Sequence, residues 1–279
     1  MNIQKIEKNV IYGYDTQEFL GRNYGLIDPF CDTWKGWLEF AIYGKRNFQK
    51  SIPINGIVEA IEKICTSNFK RFVIFKGEVK FYEHIFQIYK KDYIILDPKD
   101  FDKIKSSDLV CLSMPFSPTA SIPLWYKDLC LYLEKNNIDT FIDGAYIGTI
   151  NKKVYIPSTC KFFAVSCSKP FNAPGLRSGI LLCDKILENF QTKVKLANYN
   201  YYSMQKSIEL LSNYNCFYAY NTHRKLQENF SVKNKLICGD SVVLSYTTDN
   251  NHPFKEQMIY NSDLNLYRLC IPMALKELN

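Results

Sequence analysis

Short apolar runs alternate with helically spaced segments through the middle of the chain. The runs are Arg71–Phe75, Tyr93–Leu96, Asp108–Ser113, Thr140–Asp143, Lys161–Ser166 and Gly179–Cys183. None shows the apolar–polar alternation of a half-exposed strand, so they predict strands buried on both faces. Between them, Gly56–Cys65 carries Ile57, Val58, Ala60, Ile61 and Ile64 at helical spacing, and Phe81–Tyr89 carries a stripe of Phe81, Ile85 and Tyr89. Pro123 suits the first turn of a helix reaching Lys135, with Leu124, Leu129 and Leu133 available to a core. The alternation predicts an α/β fold, a sheet covered by helices.

The ends read differently. Residues 1–40 hold turn signals and aromatics with little periodicity. Beyond residue 184, Lys185–Ala197 and Tyr202–Glu228 read as helices, and Ser241–Tyr246 and Leu266–Ile271 as short strands. The expected division is a large domain over 40–183 and a small α+β domain assembled from 1–39 and 184–279.

Composition narrows the function classes. A chain of 279 residues is long enough for a large core in one or two domains. No window approaches the ~20 apolar residues of a membrane helix, and Met1–Lys8 alternates polar and apolar residues without a signal-peptide core. The expectation is a cytoplasmic protein without a membrane partner. The formal charge is +7, but the lysines are dispersed rather than gathered into a stripe, so nucleic acid is not the expected partner. Ten cysteines, several inside apolar runs, form no C-x-x-C pair and accompany only three histidines. They read as reduced, buried thiols rather than as disulfides or a metal site.

The chemistry concentrates in Ser166-Cys167-Ser168-Lys169-Pro170-Phe171-Asn172-Ala173-Pro174-Gly175-Leu176-Arg177. A lysine follows an apolar strand, with a serine three residues before it and an arginine eight after it. Upstream, Asp143-Gly144-Ala145-Tyr146 closes another strand. Asn55-Gly56-Ile57-Val58-Glu59-Ala60 opens a helix whose free N–H groups suit a phosphate. Arg268 lies inside the C-terminal apolar run, and a planar guanidinium suits a carboxylate.

These segments resemble the class I/II aminotransferases, the fold-type-I enzymes that use pyridoxal 5′-phosphate (PLP), and the chain resembles a short, divergent member. The resemblance implies a large domain with a mainly parallel mixed sheet, and a homodimer. It implies that Lys169 forms the Schiff base and shuttles a proton, that Asp143 pairs with the ring nitrogen, and that Tyr146 donates to the ring oxygen. Ser166, Arg177, Gly56 and Ile57 would hold the phosphate. Arg268 would take the substrate carboxylate, and Gly25, in Asn23-Tyr24-Gly25-Leu26, would lie in the loop over the substrate. Phe81 and Tyr82 are candidates for the ring-stacking aromatic.

One segment departs from the family pattern. Met114-Pro115-Phe116-Ser117-Pro118-Thr119-Ala120 places Ser117 where the family has an asparagine that donates to the cofactor's ring oxygen, and Ala120 where it has glycine. The leading expectation is an aminotransferase that moves an amino group from an amino acid or amine to a keto acid. The alternatives are a PLP-dependent lyase acting by β-elimination, another amino-acid-modifying PLP enzyme, or a non-catalytic α/β interaction protein that has kept the fold.

Overall fold

A computed structural model describes residues 23–44 and 47–277. In chain order the elements are α1 (Ile27–Leu38), β1 (Ile42–Tyr43), β2 (Lys50–Ile54), α2 (Ile57–Cys65), β3 (Arg71–Phe75), α3 (Phe81–Ile88), β4 (Tyr93–Leu96) and β5 (Asp108–Ser113). There follow α4 (Tyr126–Lys135), β6 (Asp139–Asp143), β7 (Val154–Tyr155), β8 (Cys160–Ser166), β9 (Gly179–Cys183), α5 (Glu188–Lys195), α6 (Tyr201–Asn213) and α7 (Tyr218–Lys233). The chain closes with β10 (Ile237–Cys238), β11 (Leu244–Thr247), β12 (Ile259–Asn261), β13 (Leu266–Cys270) and α8 (Ile271–Glu277).

Seven strands form the central sheet in the order β2-β9-β8-β6-β5-β3-β4. The pairs from β8 through β4 are parallel, and β9 runs antiparallel to both neighbours. Strand side chains alternate between two cores, one on each face. Val73, Phe75, Val110, Leu112, Ile142, Phe163, Val165 and Ile180 face one side with α1, α4 and α6. Phe72, Ile74, Leu109, Cys111, Phe141, Phe162, Ala164 and Leu181 face the other with α2 and α3. Each large apolar side chain removed from water contributes about 1.5–3 kcal/mol, so the doubly covered strands carry much of the stability. Arg71 ties the starts of two inner strands together: its Nε and Nη2 reach the Asp108 carboxylate at 3.0 and 2.6 Å across the β3–β5 pair.

The predicted strands and most helices recur within a few residues of the expected bounds. Three readings need correction. Residues 27–38 form a helix despite Pro29 and Gly36, because Phe30, Cys31, Trp34, Trp37 and Leu38 bury one face. The α4 helix begins at Tyr126, not Pro123; the Pro123 carbonyl instead accepts the Tyr126 N–H at 3.1 Å in the preceding turn. The long helix expected over Tyr202–Glu228 is two helices, broken where the Asn215 side chain accepts the Phe217 N–H at 2.9 Å. Strand β2 was not anticipated, because Pro53 argues against a strand; at the sheet edge its missing N–H costs no ladder bond.

The four C-terminal strands form an antiparallel sheet in the order β10-β11-β13-β12. None of the ten cysteines forms a disulfide, and eight are buried. Among the described residues no helix is long and apolar enough to cross a membrane.

Candidate active site

Strands β5, β6 and β8 end side by side, with Ser113 opposite Asp143 and Asp143 opposite Ala164. Open α/β sheets bind ligands beyond these carboxyl ends, where side chains of several strands converge. A cavity of about 270 Å³ lies there. Asp143, Tyr146, Ser166, Lys169, Arg177, Arg268, Ile57 and Ser117 all line it, although they come from segments as far apart as α2 and β13.

Asp143 ends β6 and is 4% exposed. Its Oδ1 accepts the Ala145 N–H at 2.9 Å, and among the described residues no cation pairs with it. Burial pushes its carboxyl up to about 7, against which the single backbone hydrogen bond works only in part. The neighbouring Gly144 is required by space, since a Cβ there would sit 2.6 Å from Val165 and 3.0 Å from the Ala164 carbonyl. Two residues on, burial raises the Tyr146 hydroxyl, while the charge of Arg268 and a hydrogen bond with Ser117 pull it down.

Lys169 sits in the turn after β8, with its Nζ 5.9 Å from the centre of the Tyr146 ring. Arg177 has a left-handed backbone (φ 48°) that turns its side chain back to the start of α2. There its Nη2 donates to the Asn55 carbonyl at 2.9 Å and its Nη1 to the Pro174 carbonyl at 3.4 Å. The guanidinium lies across Gly56, whose φ is +82°; a Cβ at that position would be 2.7 Å from Nη2. Glu59 reaches back to the Asn55 N–H at 2.6 Å and pairs with Lys193 at 2.7 Å, which fixes the loop before α2. A helix N-terminus beside an arginine is a ready anion site.

Arg268 enters from β13. Its Nη1 donates to both the backbone carbonyl and the hydroxyl of Ser117, each at 3.1 Å. Ala120, at the family's glycine position, has φ 48° and packs its methyl with Tyr146 and Val243.

Gly25 is not brought to the cavity. It lies exposed in a 3-10 turn before α1. Of the two aromatic candidates, Phe81 lines the cavity and Tyr82 is fully buried against Phe86 and Phe141. Sequence reasoning missed Ser113 and Glu78. Glu78 is 3% exposed and accepts the N–H and hydroxyl of Ser113. Its only sequence signal was an acid beside Gly77, a pattern that reads as a solvated turn.

Residues 57–211 match the family model for aminotransferase class I and II. The chain belongs to this family. The fold extends the agreement past the matched segment. A histidinol-phosphate aminotransferase from Clostridium acetobutylicum superposes with a TM-score of 0.67 at 15% identity, over 96% of this chain and 89% of that one. An aspartate aminotransferase from Thermotoga maritima gives 0.70 at 12% identity, over 99% and 85%. A PLP-bound C-S lyase from Staphylococcus hominis gives 0.64 at 12% identity, over 90% and 77%. No curated protein matches the sequence.

The cofactor of class I and II aminotransferases is PLP, and the residues around this cavity fit it. A buried acid without a cation suits a protonated ring nitrogen. The Gly56 cradle and Arg177 suit a phosphate, and Lys169 supplies the amine.

Proposed function

We propose that this class I/II family member is an aminotransferase that transfers an amino group from an amino acid to a keto acid, with its chemistry at Lys169. The observation that carries this reading is the convergence on one cavity of Lys169, an unpaired buried Asp143, and an arginine with free donors at Arg268. PLP bound there supplies an aldehyde that takes up amines and a ring that withdraws electrons from the substrate's α-carbon.

The protein's part is positioning, charge and proton transfer. Asp143 gains its missing cation in the ring N–H and keeps that nitrogen protonated. Tyr146 donates to the ring oxygen. Arg177, Ser166 and the N–H groups at Gly56 and Ile57 hold the phosphate. Ser117 engages only Nη1 of Arg268 among the described contacts, so Nε and Nη2 remain for the substrate carboxylate. That grip turns the α-hydrogen toward Lys169, whose amine takes the proton from the substrate's α-carbon and passes it to the cofactor. Ile57, Val79 and Phe81 give the cavity an apolar side that limits water. Assembly as a homodimer belongs to the same reading, and light scattering at the mass of a single chain would remove it.

The decisive experiment adds PLP to the purified protein. A visible absorption band is expected, and it should vanish in Lys169→Ala; a wild type that stays colourless would sink the proposal. Single-substrate reactions then separate the chemistries. Conversion of the cofactor to its amine form supports transamination. Release of ammonia and a keto acid with the cofactor unchanged supports β-elimination, which the shared fold also accommodates.

A further inference from the structure

Glu78 lies outside the roles assigned above. It sits in the turn between β3 and α3, next to the cavity but not lining it. Both of its oxygens lie near the Ser113 N–H, at 3.2 and 3.3 Å, and Oε1 accepts the Ser113 hydroxyl. A serine hydroxyl has one hydrogen. With that hydrogen given to Glu78, the Ser113 oxygen turns its lone pairs outward, and one of them accepts the Ser117 N–H at 2.7 Å. Ser117, held in this way, presents its carbonyl and its hydroxyl together to Nη1 of Arg268. An unbroken run of hydrogen bonds therefore leads from Glu78 through Ser113 and Ser117 to Arg268.

We infer that Glu78 is a positioning residue that fixes the guanidinium of Arg268 through Ser113 and Ser117, and so sets the protein's grip on a substrate carboxylate. The inference rests on the function proposed above for what Arg268 binds, but the relay itself is a property of the protein alone. An acid is an expensive filler in a dry interior, and Glu78 has the Asp143 carboxyl as a neighbour. Its Oε1 also provides what an apolar side chain cannot, an acceptor that dictates which way Ser113 points. A residue that only closed the end of β5 would stabilise the fold without distinguishing ligands that carry a carboxylate from those that do not.

The test compares L-alanine with ethylamine, the same amine without the carboxylate, by titrating the visible band of the PLP-loaded protein. Glu78→Met should weaken L-alanine about tenfold or more while leaving ethylamine within about twofold. Glu78→Gln keeps an acceptor for Ser113 and should stay within about threefold of wild type for both. Equal losses for the two ligands, or no loss in Glu78→Met, would overturn the assignment. Should Glu78→Met not fold, Ser113→Ala removes the same relay from its middle and should show the same carboxylate-selective loss. A second measurement needs no cofactor. Urea midpoints of Ser113→Ala, Arg268→Met and the double variant should be non-additive, because the two sites share partners. Additive shifts would refute the relay even if the wild type bound no PLP, an outcome that would separately refute the proposed function.

Discussion

A carboxyl buried at the end of a sheet strand resists ionisation until a cation reaches it. Burial raises the Asp143 carboxyl to about 7 from an ordinary 3.8, and it raises Glu78 to about 8 from 4.5, with the Asp143 charge adding to the effect and the Ser113 bonds opposing it. Between those ordinary and folded values the folded chain keeps protons that the unfolded chain has released. Stability of the cofactor-free protein should therefore fall as pH rises through that window, the reverse of what a salt-bridged acid does. Asp143→Asn removes one of these contributions. In thermal melts without PLP it should match wild type only near pH 3, below that window, and exceed it by about 3 °C or more near pH 8. It should also lose PLP affinity, because an amide cannot pair with a ring cation. A variant that loses stability at both pH values would refute the burial account. At this scale the sequence was informative where residues brought together are close in the chain: Lys169, Ser166 and Arg177 line one cavity. It was silent on Glu78, whose burial depends on Ser113, 35 residues away.

The start of α2 has the shape that the proposed phosphate site needs. Gly56 has a positive φ and the Arg177 guanidinium against its Cα, while Glu59 and Lys193 brace the loop from the helix side. Gly56→Ala meets two penalties: a backbone at φ 82° and ψ 168°, a region essentially confined to glycine that costs other residues about 1–3 kcal/mol, and a methyl group placed 2.7 Å from Nη2. The guanidinium is the movable partner, so it should swing away from the helix start. PLP affinity is expected to fall about tenfold or more, and folding stability by about 1–3 kcal/mol; fluorescence titration and urea unfolding read the two effects. Unchanged PLP affinity would mean that the cradle is not where the phosphate binds. The same scale explains which elements were legible. The strands buried on both faces announced themselves as unbroken apolar runs. The α1 helix was hidden by Pro29 and Gly36, β2 by Pro53, and the α6–α7 break by a helical pattern that continues past Asn213–Asn215. In each case packing or an edge position decided against the local signal, and neither is written in a short window.

Across the whole molecule, the proposed site needs Arg268 and Tyr146 at a fixed separation, although 121 residues lie between them in sequence. Tyr146 leads into Thr149, whose hydroxyl donates to the Tyr146 carbonyl at 2.6 Å and meets the Ser241 hydroxyl at 2.7 Å. The Thr149 carbonyl accepts the Val242 N–H at 3.0 Å, and Ala120 accepts the Ser241 N–H at 3.1 Å. Val242 leads directly into β11, and β11 pairs with β13, setting Tyr246 opposite Arg268. Gln227 of α7 locks this join from behind. It is 1% exposed, and its Nε2 donates to the carbonyls of Ser241 and Leu244 at 2.8 and 2.7 Å. Gln227→Leu keeps the bulk but removes the short hydrogen bond to each carbonyl, leaving Ser241 with only the Leu244 N–H at 3.5 Å and Leu244 with the Gly239 N–H at 3.4 Å. The expected cost is about 1–3 kcal/mol, read by urea unfolding. Of the residues proposed to hold the cofactor, only Tyr146 is hydrogen-bonded to this join among the described contacts. The variant that still folds should therefore bind PLP nearly as well as wild type while its affinity for L-alanine drops severalfold. A drop in PLP affinity as large as the drop for the amino acid would show that the join supports the whole cavity, and would place the control of Arg268 elsewhere.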